Sequence, residues 1–400
     1  MIITVTVASA VRTSRRRQIR ILFFSVFLQG TAGSVITIPA THRMRSRSIH
    51  SVLQVIASVF AILVATVNAD AQIPEVFHPA GPAAESIADL FWLVIAVCSV
   101  IFLVVTGTLI VFIHRFRERA DDGETEPPQL YGSQPIELAW TVAPLMIVLV
   151  LALVVIRSVV DLRGEPPAQN AERVRVVGHQ WWWEFEYPQH GFTTANELVI
   201  PVSDEATNRP VYLQLESADV IHSFWVPRLA GKTDLIPGKT NQMWIQADQE
   251  GTFAGRCAEY CGTQHAKMLI RVRVVSPADY ATWISHQQQN ALPPSTERPA
   301  ESPSETKTTG ALAGHARFME LACANCHTIG GTHATGKFGP DLTHLMSRET
   351  LAAGIMDNDR EHLTRWIKDP NLDKSGCRMP DMRLSDTDVK QIVDYMITLE

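Results

Sequence analysis

Two uncharged apolar runs, Leu90–Ile113 and Leu138–Ile156, limit what this chain can fold into more than any other feature. Each is long enough to cross a hydrocarbon layer of about 30 Å as a helix, and in that layer a helix satisfies every backbone N–H and C=O internally. Pro144 interrupts the second run, so a buried core helix is its bland alternative; two such runs in tandem favour a pair of spans. After the first run, His114-Arg115-Phe116-Arg117-Glu118-Arg119 carries the cationic excess of a cytoplasmic loop. The chain is therefore expected to enter a membrane, turn on the cytoplasmic side and return, leaving the rest on the outer face. In a bacterium that is a multi-pass inner-membrane protein with a periplasmic part.

Ahead of the spans lie two passages with export-signal character. The first is Arg15–Arg20 followed by Ile21–Leu28; the fuller one is Arg43, Arg45 and Arg47 before the uncharged stretch Ser51–Val67 and the small residues around Ala71. Residues 1–71 are read as a targeting region, with cleavage expected after Ala71. Met44 also reads as an initiator, which would leave residues 1–43 untranslated. The 400 residues exceed what one core usually organises, so several modules are expected. A net charge of −6 gives no basic footprint, which excludes nucleic acid as a partner and suits an electron carrier better.

The membrane hairpin is assigned to residues 72–165, with helices at 87–113 and 138–160. Beyond it, Val174–Val177, Glu197–Pro201, Val211–Leu215, Gln242–Ala247 and Met268–Val275 have strand character and are punctuated by Gly and Pro. They predict a β-sandwich over 166–285. Residues 286–310 are rich in Gln, Pro, Ser, Thr and Glu, cannot bury a core, and read as a flexible linker. Such a tether of about 25 residues would hold the last domain at an effective concentration of about mM. Residues 311–400 have helical periodicity, clearest at Ala311–Leu321, His362–Lys368 and Asp386–Leu399, the last announced by Ser385 and Asp388.

The six cysteines divide by spacing. Cys323-Ala324-Asn325-Cys326-His327 is the C-x-x-C-H pattern in which both thiols become thioethers to a haem and the histidine an axial iron ligand. A redox pair or a zinc half-site are the alternatives, and no second half-site follows. Methionine is a common ligand on the opposite face of such a haem. The segment Arg378-Met379-Pro380 resembles the Met-Pro ligand loop of class I cytochromes c, which makes Met379 the expected axial ligand; Met382 is the alternative. The same resemblance covers Gly339-Pro340-Asp341-Leu342, whose proline carbonyl is expected to hold the other nitrogen of His327. His315, His333, His344 and His362 read as surface or haem-edge residues.

The second constellation is Cys257-Ala258-Glu259-Tyr260-Cys261-Gly262-Thr263-Gln264-His265-Ala266-Lys267-Met268, preceded by Asp219-Val220-Ile221-His222. Two thiolates, two imidazoles and a thioether form a soft set suited to copper, and the second thiolate leaves room for a second metal. A Cys257–Cys261 disulfide with unrelated histidines is the bland alternative. These residues resemble the CuA domain of cytochrome c oxidase subunit II, a cupredoxin-like sandwich. The resemblance implies that Cys257 and Cys261 bridge two coppers, that His222 and His265 cap them, that Met268 binds weakly, and that Glu259 gives its backbone carbonyl. It also implies a magnesium ion near the Glu259 side chain at the border with subunit I. Trp181, in His179-Gln180-Trp181-Trp182-Trp183-Glu184-Phe185, is similar to the residue that receives electrons in that family, although a tryptophan run alone is more often packing. Glu137, in Glu137-Leu138-Ala139-Trp140-Thr141, resembles the glutamate at the mouth of a proton channel; a solvated helix-end carboxylate is the other reading. Asp219 is expected to hydrogen-bond near the copper site or to help dock a donor. Cys98 reads as a small buried hydrophobe in the first span, and Cys377 as structural or free.

Taken together, the fold class is a multidomain membrane protein: a two-helix transmembrane hairpin, a cupredoxin-like β-sandwich and an all-α class I cytochrome c domain. The layout resembles caa3-type oxidases. It implies a subunit II that takes electrons from cytochrome c or another upstream donor through haem c and CuA. These pass to subunit I for oxygen reduction and proton pumping, with subunit III as a further partner. A membrane-anchored electron-transfer subunit of a nitric oxide reductase is the alternative.

Overall fold

The computed structural model describes residues 76–117, 129, 131–163, 171–203, 209–294 and 305–400. The export signal and its cleavage point after Ala71 lie outside the described residues. Two long helices come first, α1 (Pro82–Arg115) and α2 (Gln134–Arg163), each extending a few residues beyond its apolar run. Pro82 starts α1 at a position where its missing N–H costs nothing. Both are long and apolar enough to span a membrane. Their large side chains, Trp92, Phe102 and Leu149 among them, are exposed. Cys98 is exposed with them rather than buried within the chain. Helices apolar all round bury themselves against lipid or a partner, not against their own domain.

The strands are β1 (Glu172–His179), β2 (Trp182–Tyr187), β3 (Phe192–Ala195), β4 (Glu197–Pro201), β5 (Val211–Ser217), β6 (His222–Trp225), β7 (Thr233–Leu235), β8 (Asn241–Ile245), β9 (Gly251–Cys257) and β10 (Leu269–Val275). They form two five-stranded sheets, ordered β3-β2-β1-β5-β8 and β4-β10-β9-β6-β7. The β1–β5 and β4–β10 pairs are parallel. Alternation decides which face is buried: Trp183, Phe185 and Tyr187 on β2 and Ile270, Val272 and Val274 on β10 point into one shared core. Tyr187 closes it, its hydroxyl donating to Val199 O at 2.8 Å and accepting from Val199 N at 3.1 Å. Helix α3 (Pro277–Gln287), capped by Ser276 accepting from Asp279 N, packs Tyr280 and Ile284 against the same core.

The last domain contains α4 (Glu305–Glu320), the single turn α5 (Cys323–Cys326), α6 (Arg360–Lys368) and α7 (Asp386–Met396). Ser385 and Asp388 make the expected reciprocal capping box at α7. Asp359 caps α6, which begins before the expected His362. Helix α4 starts inside the stretch expected to be linker.

This domain is seated on the sandwich. Glu197 on β4, only 2% exposed, accepts from Thr350 N and Thr350 Oγ1, both at 2.8 Å, and from Glu349 N at 3.1 Å. Arg273, on the outward face of β10, reaches Ser347 O at 3.3 Å and Glu349 at 3.4 Å. Leu269 N donates to Ala353 O at 3.1 Å. The first part of the expected linker is also tied down. Gln289 O lies 2.9 Å from His344 Nε2, and Ala291 N donates to Gly330 O at 3.1 Å. His344, expected at the surface or the haem edge, is 5% exposed, and its other ring nitrogen bonds Glu400 O at 2.7 Å. A buried carboxylate or imidazole is stable only when its hydrogen bonds are made, so Glu197 and His344 help fix how the two domains sit.

Candidate metal centre and cofactor cavity

Strand β9 ends at Cys257, the loop turns back through Cys261, a short 3-10 turn spans His265–Lys267, and Met268 leads into β10. Cys257 N donates to Met268 O at 2.9 Å, which closes the loop at its base. His222 opens β6, the neighbour of β9. The donors converge: Cys257 Sγ lies 3.7 Å from Cys261 Sγ, 3.9 Å from His222 Nδ1 and 3.2 Å from Glu259 O. Cys261 Sγ lies 3.6 Å from His265 Nδ1 and 3.8 Å from Met268 Sδ. Among the described residues, His222, Cys257 and Cys261 are the group of three whose ligand atoms lie within 4.8 Å of one another. A sulfur separation of 3.7 Å is far beyond the disulfide length of about 2.05 Å. The sequence-expected set is thus gathered at one point, with room between the sulfurs.

The electrostatics fit a cation. The hydrogen bond from Cys261 eases the first proton off Cys257, whose thiol is pushed down against the cost of burial. Cys261 is pushed up, because a second thiolate would face the first in the same pocket. Burial alone would lower the His222 pKa, but its bonds to Asp219 and Cys257 outweigh that and raise it. Asp219 is partly buried, yet accepts from His222, Gln180 N and Val220 N and is held at about 2. Such an anion orients the imidazole through its far nitrogen and leaves Nδ1 facing the sulfurs.

Gly178 was not singled out by sequence reasoning. A Cβ there would lie 2.8 Å from His222 Cδ2 and 3.0 Å from Cγ, so β1 can pass the imidazole only as glycine. Gly178→Ala is expected to swing His222 away and to weaken copper binding by about 10–100-fold, the usual cost of disturbing a ligand's support. Competitive copper titration of the full chain checks this; an unchanged affinity would remove Gly178 from the site.

A second feature is an apolar cavity of about 1450 Å³, its mouth included. Cys323, Cys326 and His327 line it, as do Met379, Met382, Leu342, Trp366 and Ile392. The turn of α5 sets both cysteines on one wall. His327 Nδ1 bonds Pro340 O at 2.8 Å, as expected, which frees Nε2. Burial lowers the His327 pKa and favours the neutral, ligating form. A Cβ on Gly339 would lie 2.6 Å from His327 Cε1, so this ring too is seated on a glycine. Arg348 lines the cavity with a buried Nε that has no partner among the described residues. Both Met379 and Met382 face the cavity, and Cys377 Sγ sits 3.3 Å from Met379 O.

The cavity wall includes residues of the sandwich: Gln180, Trp181, Trp182 and Asn196. Trp181 Nε1 donates to Cys261 O at 2.9 Å, and Gln180 Nε2 to the same oxygen at 2.8 Å. Trp181 therefore touches the cavity and the cysteine loop together. Trp182 stacks on His179 at 4.2 Å, and Trp183 is core, packing edge-on to His222 and Phe224. Lys374, also missed from sequence, is 3% exposed. Its ammonium donates to Trp181 O at 2.7 Å and Ala352 O at 2.9 Å, and burial pushes it down to about 7. Glu137 lies far along the chain in the first turn of α2, with Glu137 O accepting from Thr141 Oγ1 at 2.8 Å.

Three family profiles match: "Cytochrome C oxidase subunit II, transmembrane domain" over 71–157, "Cytochrome C oxidase subunit II, periplasmic domain" over 191–275, and "Cytochrome c" over 311–400. The chain is 34% identical over 327 residues to cytochrome c oxidase subunit 2 of Alkalihalophilus pseudofirmus, covering 80% of this chain and 90% of the relative. It is 30% identical over 341 residues to the Bacillus subtilis subunit 2, covering 80% and 89%. A solved structure, the periplasmic domain of subunit II of cytochrome oxidase (CoxB) of Bradyrhizobium japonicum, is 33% identical with a TM-score of 0.29, covering 31% of this chain and 97% of that one.

Proposed function

The chain belongs to the cytochrome c oxidase subunit II family, with a fused cytochrome c domain, and from that premise we propose which of its residues carry electrons and how. His222, Cys257, Cys261, His265 and Met268, with the Glu259 carbonyl, would hold a copper pair; Cys323 and Cys326 would attach a haem, with His327 and Met379 as its iron ligands. The single observation that carries the reading is the convergence of both thiols, both imidazoles and the thioether at one buried point. The haem side is supported by the apolar cavity, by His327 aimed through Pro340, and by the unpartnered Arg348 Nε, which suits a haem carboxylate.

When bound, the two groups supply one-electron carriers. The chain's own residues do the rest. Asp219 fixes the His222 ring, Pro340 fixes the His327 ring, and the apolar walls keep water from both. Trp181 spans the gap, one edge on the cavity and its N–H on the Cys261 carbonyl, which makes it the bridge for electrons arriving from the haem side. Electrons would then pass towards subunit I, where oxygen would be reduced and protons pumped, with subunit III and an upstream cytochrome c completing the complex. Glu137, at the cytoplasmic start of α2, is assigned to proton uptake beside subunit I. The Glu259 side chain would be free to help hold a magnesium ion shared with subunit I.

Purification of the full chain from cells that mature haem c should yield two coppers and one covalent haem per chain, with a mixed-valence copper signal. The complex that co-purifies should consume oxygen with a reduced cytochrome c. One copper per chain, or consumption of nitric oxide in place of oxygen, would overturn the assignment.

A further inference from the structure

In the six residues just before Met379, four bond to the other domain: Asp373, Lys374, Ser375 and Arg378. Asp373 O accepts from Lys267 Nζ, and Ser375 O accepts from Gln264 Nε2 at 2.5 Å. Lys374 Nζ donates to Trp181 O at 2.7 Å. Arg378 Nη2 reaches Gln180 Oε1 at 3.0 Å and Asp219 Oδ2 at 3.1 Å. The targets are not scattered. Gln264 and Lys267 each adjoin a proposed copper ligand, His265 and Met268, and Asp219 holds His222 Nε2 at 2.9 Å. Arg378 itself adjoins Met379. An ion pair, Arg378 to Asp219, and a hydrogen bond between His222 and Asp219 therefore connect the haem-ligand loop with a copper-ligand ring.

We propose that Asp373–Arg378 is a docking clamp that sets the haem-ligand loop against the copper-ligand loop, with Arg378 and Lys374 as its positioning residues. The proposal rests on the ligand assignments above. A tether alone would leave the haem domain sampling many orientations at an effective concentration of about mM; charge-assisted bonds select one of them. In that pose Trp181 is held at its carbonyl by the haem domain and at its N–H by the copper loop. With both groups bound, one electron would pass from the reduced haem to the oxidised copper pair without waiting for the domain to find its place.

The test uses the full chain in detergent. Hydrogen exchange is followed at two amides that bond across the border, Leu269 N to Ala353 O and Thr350 N to Glu197. Two internal amides, Met346 N to Leu399 O and Val202 N to Val275 O, serve as controls. Such protection reads the opening equilibrium directly and needs no copper. In Arg378→Ala the border amides are expected to lose about tenfold in protection while the controls hold, and Arg378→Lys should recover most of it. Arg378 is 44% exposed, so its loss leaves no hole in a core. Lys374→Met should act in the same direction. In loaded protein, haem-to-copper transfer after pulsed reduction should slow in Arg378→Ala with both absorption spectra unchanged. Unchanged border protection, an unchanged transfer rate, or failure of Arg378→Lys to recover would each overturn the clamp. A wild-type chain lacking either cofactor would instead overturn the ligand assignments, while the exchange result would still stand.

Discussion

Cys257→Ser is expected to leave a folded, haem-bearing chain that no longer holds its copper pair. The side chain is 2% exposed, and a serine hydroxyl there can donate to the Glu259 carbonyl, which already lies 3.2 Å from the sulfur. The backbone bond from residue 257 to Met268 O is untouched, so the loop keeps its closure. What goes is a soft bridging donor from the centre of the set, 3.7 Å from Cys261 and 3.9 Å from His222. Loss of an outer support alone costs a metal site about 10–100-fold in affinity, and loss of a bridging ligand should exceed that. Copper analysis should show the pair gone, with no mixed-valence signal and no oxygen uptake from a reduced donor. Retention of two coppers and a normal signal would mean that the metal sits elsewhere.

Met379→Ala is expected to keep the covalent haem and lose its electron-transfer competence. Cys323 and Cys326 still attach the porphyrin and His327 still faces it, but the opposite thioether is absent, so the iron should turn high-spin and its potential fall. Electron delivery to the copper pair should drop by more than about tenfold, since axial ligands set haem potentials over a range of about 0.8 V. The matched variant Met382→Ala should keep a low-spin haem. The pair decides between two methionines that both line the cavity. A normal spectrum in Met379→Ala with a high-spin one in Met382→Ala would reverse the assignment.

Why were the two centres readable in advance when the contact between them was not? Cys323, Cys326 and His327 must lie within one turn to grip a single porphyrin, and Cys257, Cys261, His265 and Met268 must lie in one loop to meet around one metal pair. Chemistry of that kind writes itself in short spacings. His222 comes from another strand, so its spacing says less; it was read into the soft donor set by residue type, and the family resemblance gave it its role. The membrane runs and the alternating strands were legible because periods of 3.6 and 2 follow from backbone geometry. Gly178 and Lys374 were not: each matters because of an atom far off in sequence, the His222 ring for one and the Trp181 carbonyl for the other.

The stretch expected to be a loose tether shows the same division. Its composition offers no core of its own, yet Gln289 and Ala291 are held by His344 and Gly330, residues whose proximity no local pattern announces. From sequence alone came the two apolar spans, the sandwich, the helical C-terminal domain and the residues proposed as ligands. Only the tertiary structure set the seating of one domain on the other, the Glu197 anchor, the Arg378–Asp219–His222 chain and the position of Trp181 between cavity and copper loop. Residue spacing encodes groups that share a turn or a strand. Which distant surfaces meet depends on the summed burial and hydrogen bonding of the whole folded chain.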